Sequence, residues 1–268
     1  AGYGGQGSVM MVGNVVGAAY GSISTPTLPG SGGGMVGGAG GTGGTGGGLV
    51  WIEAPTGTVT LAGTITANGT AAFNLHGGGG SGGGIYIQCR KLDGNTNGWM
   101  SAMGGAGSSS GGPGGGGRIA VTYDPAYQAG TRPGIRFWTS RSTGGLGTSS
   151  CPTSRTSQDG TLYLSDGALL TSNPGDNAFN NVNLFMAPSV TNLALDSLTL
   201  RNCYLTIAQP GLTMTVTNDV RILIYAQLGF AGQFTCRSLY LTNSGALLAQ
   251  SGVTNNATPD YGALFTAT

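Results

Sequence analysis

In 268 residues the chain carries 55 glycines but only ten lysines and arginines and nine aspartates and glutamates, for a net charge of +1. With one lysine (Lys91) and one glutamate (Glu53) it cannot furnish the charged faces of helical bundles or coiled coils, which draw about half their residues from Ala, Glu, Lys, Leu and Arg. Global disorder, which combines low hydrophobicity with high net charge, is excluded, as is collagen, because the glycines come in runs and not at every third position.

Of the glycines, 46 lie in residues 1–148 and nine in 149–268. MMVGNVVGAAYGSI near the start reads as an imperfect terminal repeat. After it, a glycine run leads into an apolar strand three times, at Val50-Trp51-Ile52, Ile85-Tyr86-Ile87 and Ile119-Ala120-Val121. Ile52 to Ile87 is 35 residues and Ile87 to Val121 is 34, and GTITANG at 63–69 stands 35 residues before GWMSAMG at 98–104. Each unit is a glycine run, a strand, a turn and a second strand. Two physical readings of the runs stand open. Glycine permits positive φ and close backbone approach, which suits tight corners; alternatively the runs lie side by side as extended polyglycine II, three residues per turn and bonded to their neighbours.

Residues 124–160, with prolines, Ser, Thr and arginines, read as an irregular excursion from the stack, and long loops of this kind are often functional. They supply the candidate partner-contact residues Tyr127, Arg132, Arg136, Trp138 and Arg141. Beyond them the units shorten to 20, 21 and 20 residues, at 192–211, 212–232 and 233–252. Period-2 apolar alternation between Asn, Asp, Ser and Gly indicates short strands and turns. Stacking such units aligns Leu195, Val216 and Cys236 in one inner column, and Leu200, Ile222 and Leu241 in another. The expected organisation is a glycine-rich repeat region over 1–123, the excursion over 124–160 and a solenoid with coils of about 20 residues over 161–268.

Chemistry is sparse. The acids are isolated along the chain, and His76, the only histidine, precedes a glycine run as a turn residue would. General acid–base work and zinc binding both require clustered ligands, so no catalytic, cofactor or metal residue is assigned and an enzyme is not expected. The four cysteines, Cys89, Cys151, Cys203 and Cys236, form no CxxC pair and read as core thiols or as one or two disulfides. Scattered arginines make nucleic acid an unexpected partner, and no run is long and apolar enough to span a bilayer. The absence of Met at Ala1 suits a removed leader or a boundary.

The motifs GGGGSGGGIYI and GGGGRIAVTY, with GTITANG between glycine runs and YGSISTPTLPGSGGG upstream, resemble the glycine-rich repeat segments of very large exported bacterial surface proteins, over about residues 1–125. The resemblance implies an extracellular, repetitive, parallel β-helical architecture and transfers no catalytic residue. VWIEA at 50–54 and RPGIR at 132–136 are similar to stretches of pectate lyases, but Ala54 stands where those have histidine and Pro133 follows Arg132 directly. The expectation is an all-β, right-handed parallel β-solenoid whose copies self-associate through uncapped ends or strand exchange into an extracellular filament, sheath or surface layer. An adhesin or glycan-binding module is the alternative, and a polysaccharide lyase or hydrolase the third.

Overall fold

The computed structural model describes residues 1–7, 17–35, 42–73, 76–108, 111–142, 157–170 and 174–249, and the backbone of 264–267. In the first half lie β1 (Leu49–Leu61), β2 (Thr64–Thr66), β3 (Gly84–Gly94), β4 (Trp99–Ser101), β5 (Arg118–Thr122), α1 (Pro125–Gln128) and β6 (Arg136–Trp138). In the second lie β7 (Thr161–Leu164), β8 (Phe179–Asn180), β9 (Val182–Met186), β10 (Asn192–Leu195), β11 (Leu198–Arg201), β12 (Tyr204–Leu223), β13 (Gln227–Thr242), β14 (Ala246–Ala249) and β15 (Leu264–Ala267). The fold is nearly all β, with long parallel sheets compatible with a β-solenoid. The single helix among the described residues is one turn, started by Pro125 and by the Asp124 carboxylate, which accepts from the Ala126 N–H at 2.9 Å.

The larger sheet runs β1-β3-β5-β7-β9-β12-β13-β14, with β10 and β11 also on β12 and β15 on β13; the smaller runs β2-β4-β6-β8. Register aligns one apolar residue from each coil: Val50, Ile85, Ile119, Leu162, Leu184, Ile207, Phe230 and Ala249. Ile52, Ile87 and Val121 share a second column, as the 35- and 34-residue spacings require. Side chains alternate across a strand, so one phase fills the core while the other faces outward; in β9, Val182, Leu184 and Met186 are buried and Asn183 and Phe185 half-buried. The smaller sheet stacks Ile65, Met100, Phe137 and Phe179 in the same way, the two phenyl rings lying 6.1 Å apart and nearly parallel.

One stack therefore accounts for both repeat lengths. In the glycine-rich half, residues 67–83, 102–117 and 139–160 separate the smaller sheet from the next strand of the larger one. Further along, the same corner is turned by one residue between Asn180 and Val182, and by two between Arg201 and Tyr204. The long period is the short period with an insertion at one corner. The expected excursion at 124–160 is corrected in part, since β6 lies inside it and pairs with β4 and β8. Both expected inner columns occur in register, Leu195 with Val216 and Cys236, and Leu200 with Ile222 and Leu241. Leu241, however, is 47% exposed, because no further strand covers it among the described residues.

Where the coil path leaves strand backbone without a strand beside it, an amide side chain takes the place. The Gln209 amide accepts from the Met186 N–H at 2.8 Å and donates to the Val190 carbonyl at 2.8 Å. The Asn68 carbonyl accepts from the Met103 N–H and the Ser101 hydroxyl. Buried backbone groups must be paired with something, and these side chains satisfy that demand.

Candidate assembly surfaces

The described residues of the glycine insertions pack against one another and against the N-terminal residues. Over residues 78–83 the hydrogen-bond partner changes with every residue and returns after three. Gly78 and Ser81 donate to Gly34 and Ser31 at 2.8 and 3.0 Å; Gly79 and Gly82 donate to Gly112 and Gly115 at 2.9 and 3.0 Å; Gly80 and Gly83 donate to Thr70 and Ala67 at 3.1 and 2.7 Å. A strand would alternate with period two; a period of three requires a chain with three residues per turn. Neighbours run in both directions, antiparallel for 30–34 and parallel for 111–117.

Positive φ does not explain these glycines. Among the described glycines only Gly21, Gly94, Gly130, Gly175 and Gly211 adopt it, and none lies in a run. Close approach does explain them: a Cβ on Gly33, Gly79, Gly80 or Gly111 would overlap a carbonyl of the adjoining run.

Arg118 ties this corner to the sheet. It is 2% exposed and, among the described residues, has no carboxylate partner. Its guanidinium donates to the Tyr20 carbonyl at 3.0 and 2.8 Å, to the Tyr3 carbonyl at 3.3 Å and to the Thr161 hydroxyl at 3.3 Å. It also lies over the Tyr3 ring, 5.4 Å from the centroid. Desolvation lowers its pKa while Tyr3 and Tyr20 oppose the shift, and an arginine stays charged under such a load.

The predicted contact residues do not form one patch. Tyr127 is exposed but lies under the Arg90 guanidinium, 3.2 Å from its centroid, and Arg132 is exposed. Arg136 donates twice to the Thr96 carbonyl, at 3.1 and 2.7 Å. Trp138 stands on β6, its ring tilted at 59° against Trp99 with centroids 4.4 Å apart, and its indole N–H donates to the Asn177 carbonyl. Arg141 is held by Asp159 and the Ser157 carbonyl. Three of the five thus serve the fold, an outcome that a reading of 124–160 as free loop does not foresee.

Cys89, Cys203 and Cys236 are free and buried; Cys151 lies outside the described residues. Burial pushes the Cys89 thiol up to about 11 and raises the other two, which disfavours the reactive thiolate. His76 adopts φ 66° in a turn. No group of three metal-ligating side chains occurs among the described residues.

The ends of the stack differ from its middle. At the first coil Val50, Ile52, Val59 and Ile65 are only partly buried, while their register partners Ile85, Ile87, Leu92 and Met100 are wholly buried. At the other end Leu239 and Leu241 are 37% and 47% exposed, although their partners Val220 and Ile222 are at 0%. β1 has a strand neighbour on one side only, and so do β14 and β15, among the described residues. Among the described residues the apolar core is thus open at both ends.

No family model matches the chain, and neither a curated protein nor a solved structure does. Among the described residues no helix is long and apolar enough to cross a membrane.

Proposed function

We propose that this chain is a structural protein of the cell exterior: a right-handed parallel β-solenoid, stiffened on one corner by a polyglycine II bundle, that self-associates into a filament, sheath or surface layer. The supporting observation is that, among the described residues, the core is left open at both ends, with Val50, Ile52, Val59 and Ile65 only partly buried at one and Leu239 and Leu241 exposed at the other. Open strand edges and exposed apolar ends invite pairing with another chain, and a net charge of +1 opposes that association little. Right-handedness follows the strong preference of parallel crossovers. The polyglycine II assignment rests on the three-residue rotation of hydrogen bonds and the absence of positive φ in the runs. The extracellular placement rests on the resemblance of the repeat motifs to exported surface proteins.

Electron microscopy with light scattering on the purified protein at micromolar concentration tests the reading. Ordered polymers are expected, and persistent monomers refute it. A second reading, a glycan-binding module, draws support from Trp51, 42% exposed and tilted over Tyr86 at 4.3 Å, with exposed Glu53 two residues along the same face. Binding on a glycan array that Trp51→Ala abolishes would favour it.

A further inference from the structure

The internal register carries the assembly mode further, resting on the self-association reading. On the outward phase of the larger sheet one column runs Leu49, Gly84, Arg118, Thr161, Asn183, Thr206, Gly229, Leu248. Its interior members are glycine or polar, and leucine stands only at its two ends, 39% exposed in each case. In the adjoining inner column half-buried Val50 is at one end and small, exposed Ala249 at the other. Before Leu49 comes Gly48, glycine although nothing lies within 4 Å of where its Cβ would be.

We propose that a second copy of this chain docks head to tail by strand addition, its β1 pairing in parallel with β14 in the register that the coils already use. Leu49 then lies against Leu248, Val50 against Ala249, and Gly48 opposite Leu247, where an adjacent backbone occupies the space that the lone copy leaves open. The contact repeats the coil-on-coil contact inside the molecule, so what covers each end is the chemistry of the other end. It also carries β2, with Ile65, toward exposed Leu239 and Leu241. Two different surfaces meet, so the contact is heterologous and propagates along the stack axis unless rotation closes it.

Paired cysteines test the register. In a Cys151→Ser background, Leu49→Cys with Leu248→Cys places two thiols at directly paired strand positions, within the Cα separation that a disulfide accepts. The remaining thiols are buried. Mild oxidation is expected to give a ladder of linked oligomers on a non-reducing gel. Either cysteine alone stops at dimers, and Leu49→Cys with Leu247→Cys, whose side chain takes the opposite phase, gives no ladder. Independently, Leu49→Asp and Leu248→Asp are each expected to raise the concentration needed for polymerisation about tenfold or more. Mixed together they form heterodimers, because each retains one intact end. Polymers that form without the ladder overturn the register while leaving self-association standing; a protein that stays monomeric at every concentration overturns both. Melting curves matching the native chain establish that the variants fold.

Discussion

The side chain of Gln128 completes the backbone of Leu92. Its amide oxygen accepts from the Leu92 N–H at 2.8 Å and its nitrogen donates to the Leu92 carbonyl at 3.0 Å and to Thr131 at 2.8 Å. β3 extends to Gly94, but β5 pairs with it only as far as Gln88, so among the described residues this stretch of β3 has no strand beside it on that edge. α1 puts a carboxamide, which has the donor and acceptor of a peptide group, into the gap.

Both Leu92 and Gln128 are at 0% exposure, so removing the amide strands the N–H and the carbonyl of Leu92 away from water. Gln128→Ala is expected to cost about 2–4 kcal/mol in denaturant unfolding, and Gln128→Glu is no rescue at neutral pH because a carboxylate cannot donate. A loss under about 0.5 kcal/mol refutes the role.

Neighbouring glycines are expected to respond in opposite senses. A Cβ on Gly33 overlaps the Gly78 carbonyl, whereas one on Gly34 meets nothing within 4 Å. Gly33→Ala should destabilise by about 1–3 kcal/mol or more, since only backbone is available to yield. Gly34→Ala should stabilise by about 0.4–1 kcal/mol by restricting the unfolded chain. Equal effects from the two substitutions in thermal unfolding would refute the close-packed arrangement of the runs.

Arg118→Met keeps most of the side-chain volume and leaves the Tyr20 carbonyl without its charged donor. Hydrogen bonds to charged groups contribute about 1.5–3 kcal/mol, and the loss falls on the segment that contains Tyr3 and Tyr20. Hydrogen exchange in residues 1–7 and 17–22 is expected to accelerate selectively, with β9 and β12 unchanged. Uniform acceleration across the chain would mean that Arg118 supports the whole fold and not this segment.

Asp159 makes stability depend on pH. Desolvation raises its carboxyl above the ordinary 3.8, against the opposing influence of Arg141, whose N–H donates to it at 2.9 Å. The folded state therefore favours the protonated acid. That contribution is fully present below pH 3.8 and is lost as pH rises through the higher folded value. Asp159→Asn keeps an acceptor for Arg141 and cannot ionise, so its stability advantage over the native chain should grow with pH and then level off. A difference that stays flat from about pH 3 to 7 refutes the assignment.

Much of the architecture is legible in residue order. The 35- and 34-residue spacings of Ile52, Ile87 and Val121, and the match of Thr64-Ile65-Thr66 to Trp99-Met100-Ser101, are the observed registers. Periodicity transmits so well here because in a parallel stack the neighbour of each residue is the one a coil length away. Alternation likewise marks Leu195, Val216 and Cys236 as inner residues.

Three things required the fold. Whether the glycine runs need positive φ or close contact depends on which carbonyls surround them, and only the packed bundle brings Gly33 to Gly78. The roles of Arg118 and Gln128 arise from contacts 98 and 36 residues apart with no motif to announce them. Trp138 and Arg136 look like free loop residues by composition, and become strand residues because β4 offers them a partner edge. Local order specifies what repeats; the surfaces left open at Leu49 and Leu248 are defined only once every other coil has been covered.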